Sequence, residues 1–187
     1  MSPSSPSSSP SLSGRVTQGS FFEGLFVRAL EAQGGLADAL RTVGVDVRRL
    51  QPSYPIEVWN EALEVAWRQR FAHLGQEAAY RELGRQLALG FTRTLVGKVV
   101  DVSLPLLGPD RFIQRIPSLS RLDSFEYKVE VARLGERHYR VSYREDPDAK
   151  PDFMAGLFEE GLRRTGITPT VEVTLREPQG FDLELRW

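Results

Sequence analysis

Phe125-Glu126-Tyr127-Lys128-Val129-Glu130-Val131 alternates apolar and charged side chains along its whole length. Successive strand residues point to opposite faces of a sheet, so a period of two marks a strand with one dry and one wet face. The pattern recurs in Tyr139, Val141 and Tyr143 against His138, Arg140, Ser142 and Arg144. It returns in Val171, Val173 and Leu175 against Thr170, Glu172, Thr174 and Arg176, and in Phe181, Leu183, Leu185 and Trp187 against Asp182, Glu184 and Arg186. Strands are predicted over about 124–133 and 137–145, with Gly135 in the turn, and on both sides of Glu177-Pro178-Gln179-Gly180. Between the two hairpins, Asp152 is placed to cap a helix from Phe153 to Thr165 that Gly166 ends, with Leu157, Phe158, Gly161 and Leu162 toward the sheet. Trp187 keeps phase with Phe181, Leu183 and Leu185, so it is expected to be buried on the dry face.

Working back from this ββαββ unit, the periodicity becomes helical. Phe21, Phe22, Leu25, Phe26, Ala29 and Leu30 form a stripe that Gly34-Gly35 ends, and a short helix runs from Leu36 to Val43 with Gly44 as its stop. After a connector over 45–54, Pro55 suits the first turn of a helix carrying Trp59, Ala62, Leu63, Ala66 and Arg70 on one face. The next helix starts near Gln76 and repeats apolar residues from Tyr80 to Leu95. Gly84 and Gly90 within it weaken the helix, which points to close backbone packing or to room for something. Pro105, Pro109 and Pro117 interrupt residues 99–122, where a short helix over Asp110–Arg115 is expected. The fold class is α+β: a helical N-terminal half followed by a ββαββ antiparallel four-stranded sheet with helices packed on one face. Residues 1–13 are almost wholly Ser and Pro and are expected to be a disordered tail, leaving 14–187 as a single α+β domain.

Composition narrows the function classes. The 187 residues hold 24 basic and 25 acidic side chains, so the chain lacks the net positive charge of a protein built to grip nucleic acid. Lysine occurs only at Lys98, Lys128 and Lys150; this arginine preference reads as the coding bias of a GC-rich bacterial genome. There is no cysteine, which removes disulfides, thiolate metal sites and cysteine nucleophiles. No stretch is apolar enough for a membrane span, and the N-terminal residues lack the pattern of a signal peptide, so a cytoplasmic location is expected.

Candidate chemistry is sparse. Of the two histidines, His73 falls in Phe71-Ala72-His73-Leu74-Gly75, a link between helices, and His138 alternates onto the wet sheet face. Gly90 with Gly97-Lys98-Val99 has neither the spacing nor the Ser/Thr of a phosphate loop. Gly34-Gly35 lacks the dinucleotide fingerprint, and Gly-x-Ser-x-Gly is absent. Arg137, Arg140 and Arg144 with His138 read as a solvated stripe paired to Glu126, Glu130, Glu172, Asp182 and Glu184. No catalytic residue, metal ligand or cofactor is expected.

Phe22-Glu23-Gly24-Leu25-Phe26, Tyr54-Pro55 with Trp59, Leu83-Gly84-Arg85, Gly90-Phe91 with Thr94, Leu107-Gly108-Pro109 and Gly156-Leu157-Phe158-Glu159 span the ordered chain. With these elements, Gly166 and Trp187, the chain resembles an uncharacterised paralogous family of myxobacteria. More distantly, helices followed by ββαββ look like the fold shared by 4-vinyl-reductase-type sensors, haem nitric-oxide-binding domains and Bet3-like trafficking subunits. Glu77-Ala78 with Tyr80, followed by Leu83-Gly84-Arg85, echoes the vinyl-reductase-type pattern. The haem branch implies a helical histidine and a Tyr-x-Ser-x-Arg motif, but Arg140 stands where that tyrosine belongs, ahead of Ser142 and Arg144. The vinyl-reductase branch implies metal-binding cysteines, which this chain lacks.

The resulting expectation is a non-enzymatic cytoplasmic signalling module. It takes a small apolar ligand or a protein partner in a cleft between the Tyr80–Leu95 helix and the dry sheet face. The candidate pocket is Tyr80, Gly84, Leu87, Phe91, Leu157 and Phe158. The alternative is a protein-interaction or homodimerisation adaptor without a pocket. Because residues 1–13 offer almost no apolar surface to a core, a chain starting at Gly14 should melt within a few degrees of the full chain in a thermal scan.

Overall fold

The computed structural model describes residues 14–120 and 127–187. Expectations for the Ser/Pro tail and for Phe125 and Glu126 lie outside the described residues. The helical half begins with a strand that its short length hides from any periodicity: β1 (Val16–Gln18) pairs antiparallel with β2 (Ser53–Pro55), setting Thr17 opposite Tyr54. Between them, α1 (Gly19–Phe22) widens at once into a π-helical stretch over Glu23–Ala29. Its wider ring is seen where Leu30 N–H donates to the Leu25 carbonyl at 2.9 Å. Then come α2 (Gly35–Thr42), α3 (Ile56–Arg70), α4 (Gln76–Phe91) and α5 (Leu95–Ser120).

Several boundaries differ from the sequence expectation. Pro55 is the N-cap residue of α3 and lies outside its first turn. The Tyr80–Leu95 helix is two helices: Thr94 is buried between them, and its Oγ1 accepts the Gly97 N–H at 3.0 Å as the cap of α5. The expected Asp110–Arg115 helix is the middle of a longer segment. Gly108, at φ 72° and ψ 167°, breaks α5 between its two halves, and Pro109 opens the second half, where its missing N–H costs nothing.

The second half follows the alternation closely. β3 (Lys128–Gly135), β4 (His138–Arg144), α6 (Pro151–Arg163), β5 (Thr170–Glu177) and β6 (Gly180–Arg186) form a four-stranded antiparallel sheet in the order β3-β4-β6-β5. Val131, Val141, Leu183 and Val173 register in one row across it, on the dry face. Pro151 sits in the first turn of α6 after Lys150, so Asp152 is not the cap; its carboxylate accepts from Arg176 at 2.6 Å instead. β6 ends one residue before Trp187, which is half-buried and stacks on Tyr139 with ring centroids 5.8 Å apart.

α6 divides the interior in two. Phe153 and Leu157 face the helical core of Phe22, Leu25, Trp59, Leu63 and Leu83. Ala155, Phe158 and Leu162 face the sheet core of Tyr139, Val141, Phe181, Leu183 and Leu185. Leu157 therefore points away from the sheet, because a helix sandwiched between two layers has two apolar faces. α4 and α6 cross with their backbones touching. A Cβ on Gly84 would overlap the Phe153 carbonyl oxygen, and one on Gly156 would overlap that of Arg81.

Beside this crossing, the carboxylate of Glu159 accepts from Arg85 Nη2 at 2.9 Å and from Arg81 Nε at 3.2 Å, while Arg163 approaches to 3.3 Å. Burial pushes this carboxyl up, but the Arg85 hydrogen bond and the nearby guanidinium charges outweigh it and hold the pKa below the ordinary value. Because overpacking a filled site costs about 1–3 kcal/mol and backbone cannot step aside as a side chain can, Gly84→Ala should destabilise by at least about 3 kcal/mol in urea denaturation. Gly35→Ala, at a helical position with open space around it, should be neutral or slightly stabilising.

Candidate functional site

Where β1, α3, α4 and α6 converge, a cavity of about 160 Å³ remains. Phe21, Ile56, Trp59, Leu87, Phe153, Met154 and Leu157 form its apolar wall, and Tyr127 also lines it. Trp59 is held by edge contacts with Phe22 and Phe153 at 5.0 and 6.0 Å. The other end is polar, lined by Arg15, Thr17, Asn60, Asp146, Asp148 and Lys150. An apolar chamber with a few convergent polar groups is the usual form of a small-molecule site.

The polar end is a connected cluster. Arg15 donates to Asp146 at 2.8 Å and to Asp148 at 2.5 Å. Asn60 Nδ2 donates to Asp148 Oδ1 at 2.7 Å, and Lys150 Nζ donates to Asn60 Oδ1 at 2.6 Å. Burial drives the Lys150 pKa down against the opposing pull of Asp148 and Asp146. Thr17 differs from the rest. It is 3% exposed, and its hydroxyl has no hydrogen-bond partner among the described residues. Most buried polar groups in proteins are paired, so this bare hydroxyl beside the cavity is an exception.

The six residues expected to line a pocket are dispersed. α6 fills the space between α4 and the sheet, so no single cleft joins them. Leu87 and Leu157 reach the cavity. Gly84 lies in the α4–α6 crossing, Phe91 packs on Phe21 at 5.4 Å, and Phe158 belongs to the sheet core. Tyr80 borders a separate surface hollow with Lys150, Asp152 and Arg176; burial raises its pKa, helped by Glu64. Sequence analysis missed the polar cluster. Its one legible signal was Asp146-Pro147-Asp148-Ala149-Lys150, a charged turn between a strand and a helix. Arg15 gave none, being brought in by the unforeseen β1.

Elsewhere, charges are matched locally. On the wet face, Glu184 accepts from Arg140 at 3.1 Å and sits 2.9 Å from His138 Nε2, and Arg144 donates to Asp182 at 2.7 Å. The His138 hydrogen bond leads the causes that hold the Glu184 carboxyl low. His73 is exposed in the link between α3 and α4. A larger hollow of about 900 Å³ is rimmed by Arg28, Arg41, Arg48 and Arg93. There Arg28 pairs with Glu23 at 2.7 Å and Arg41 with Asp38 at 3.0 Å. Among the described residues, no group of three or more His, Asp or Glu is placed to hold a metal ion.

Residues 15–187 match the model of a family described as Protein of unknown function (DUF2378). The chain belongs to this family. No curated protein matches it. Among solved structures, the DUF2378 chain is similar to one described as "Modulating Heme Redox Potential Through Protein-Induced Porphyrin Distortion", at TM-score 0.68 and 13% identity, over 91% of this chain and 100% of that one. It is similar to "Structural insights into the molecular mechanism of H-NOX activation" at TM-score 0.67 and 14% identity, over 90% and 92%. A third is an oxygen-binding H-NOX domain related to soluble guanylate cyclases, in its oxygen complex, at TM-score 0.63 and 14% identity over 90% and 91%. The DUF2378 chain therefore has an H-NOX-like fold.

Heme is named for the first of these structures, which raises whether this chain could hold one. Haem iron takes His, Cys, Met or Tyr as its axial ligand. The chain has no cysteine, and neither histidine lines the cavity. Met154 and Tyr127 are its only such groups among the described residues, and about 160 Å³ falls below the roughly 300–1,000 Å³ of cofactor sites. The residues present do not fit haem. What they offer is a small apolar chamber with a hydroxyl and an ammonium at one end. Thr17→Val, which replaces the bare hydroxyl with a methyl group, should leave the stability of the ligand-free protein unchanged or raise it by about 1 kcal/mol, read as a melting temperature equal to or above the parent's. Arg15→Ala, by contrast, strands the buried Asp146 carboxylate and should cost about 3–5 kcal/mol in the same thermal scan.

Proposed function

We propose that this chain is a non-enzymatic cytoplasmic signalling module that binds a small apolar molecule carrying one polar atom. The observation that carries this reading is the Trp59–Leu87–Leu157 cavity, whose polar end includes Thr17, a residue whose buried hydroxyl has no hydrogen-bond partner among the described residues. A dry cavity of about 150 Å³ accepts benzene, so about 160 Å³ suits a single ring or a short branched chain. The ligand's polar atom meets Thr17, which both donates and accepts, and Lys150, which donates. The H-NOX-like fold supports a binding role, since its neighbours include an oxygen-binding domain. Among the described residues no helix is long and apolar enough to cross a membrane. Coupling of ligand to signal runs through α6, which touches the cavity with one face and the sheet core with the other.

Benzyl alcohol is a suitable probe because its ring fits the apolar wall and its hydroxyl fits the polar end. Titration followed by amide NMR should shift Trp59, Leu87, Phe153 and Leu157 saturably. Thr17→Val should weaken benzyl alcohol about tenfold, the loss of one hydrogen bond of about 1.4 kcal/mol, and leave toluene unaffected. Leu157→Trp, which fills the chamber, should abolish both. Saturable shifts that persist in Leu157→Trp, or none at these residues in the parent, would overturn the reading.

A further inference from the structure

The first half of α5 carries an apolar stripe that no other described residue covers. Leu95 and Leu106 are 83% and 84% exposed, and Val99 and Val102 are each 73% exposed. Their spacing is four, three and four residues. That is the d-a-d-a seam of a coiled coil, in which each side chain falls on the same narrow line of the helix. The opposite side of the helix is fastened to the protein: Gly97 is pressed against the Phe91 carbonyl, Leu104 is buried, and Asp101 accepts from Arg164 at 2.7 Å. The stripe is thus held outward on a fixed support. Polar alternatives were available at these solvent-facing positions, as Lys98 and Ser103 beside them show.

We infer that this stripe is the dimerisation surface of the protein, with the α5 seam of a second copy as its occupant. Three observations select a second copy. With Val96 and Val100, the exposed apolar side chains leave roughly 650 Å² uncovered, close to the ~800 Å² that each partner buries in a standard interface and above the usual ~300–600 Å² patch of a monomer. The seam is self-complementary, as an isologous two-fold contact requires. Its flanks carry a single charge, Lys98, which in a parallel seam lies across from Ser103 of the partner and meets no like charge. The Ser/Pro tail is a poor match to the seam by composition, with Met1 and Leu12 as its large apolar residues. This inference is independent of the cavity.

Sedimentation velocity of the full chain at about 50 µM should give twice the 21.1 kDa chain mass. Val99→Glu and Leu106→Glu, both on exposed positions, should give a folded monomer, with dissociation raised at least a hundredfold. The absence of native cysteine makes cross-linking specific. Val99→Cys alone, or mixed with Val102→Cys, should form a disulfide-linked dimer under diamide for a parallel or an antiparallel seam respectively. A monomeric parent would overturn the inference. So would a dimer that survives Val99→Glu and yields no cross-link. Sedimentation of a monomeric parent with phosphatidylglycerol vesicles, lost in Val99→Glu, would assign the stripe to a lipid surface instead.

Discussion

Two helices touch backbone to backbone at the centre of this protein, and much of its architecture depends on that contact. Gly84 of α4 lies against the Phe153 carbonyl, and Gly156 of α6 lies against that of Arg81. Neither position has room for a Cβ, so the interaxial distance is set by main chain alone. The approach brings Arg81 and Arg85 within reach of Glu159, whose carboxylate they neutralise in a partly buried place. It also lets α6 serve two cores, with Phe153 and Leu157 on one side and Phe158 and Leu162 on the other. A second contact of the same kind, Gly90 against the Gly24 carbonyl, draws the π-helical stretch onto α4. α4 is thereby clamped on two sides by contacts that tolerate no side chain.

The cavity is a consequence of this arrangement. Leu87 and Leu157 come from the two clamped helices, Trp59 from α3, and Phe21 from α1. β1 enters from the side and brings Arg15 and Thr17 across a sequence gap of about 130 residues to the Asp146–Lys150 turn. Charge pairs of this kind gain little net stability, because desolvation offsets attraction, but breaking one leaves an uncompensated charge. The Arg15 cluster therefore acts as a positional lock. It fixes the strand that carries Thr17 and leaves that hydroxyl unpaired beside the chamber, an arrangement that sacrifices some stability.

Identity of 13–14% to H-NOX structures over nine-tenths of the chain shows how few particular residues a backbone plan requires. The plan needs alternation in the strands, apolar stripes in the helices and small residues at the crossings, and many sequences meet those demands. A binding site needs particular donors at particular places. Here the two histidines lie in a link and on the wet sheet face, and aromatic and aliphatic side chains leave about 160 Å³ where β1, α3, α4 and α6 converge. Fold and function separate at that level, because function resides in the site and not in the scaffold.

Local periodicity determined the sheet. Tyr139, Val141 and Tyr143, and Phe181, Leu183 and Leu185, reach the dry face because a period of two leaves them no other. It also determined the helical half, the helix between the hairpins, the solvated placement of His73 and His138, and the flag raised by Gly84 and Gly90. Long-range contact decided the rest. Three-residue β1 and β2 exist only because they pair with each other across 34 intervening residues. The change of direction at Thr94 turned Leu95 from an expected member of the α4 stripe into an exposed residue. The insertion of α6 between α4 and the sheet dispersed the six residues of the expected pocket, and the docking of Arg15 on Asp146 and Asp148 assembled a different one. Periodicity reports which face of an element is apolar; which other element that face meets depends on the crossing of whole helices, and only the folded chain contains that information.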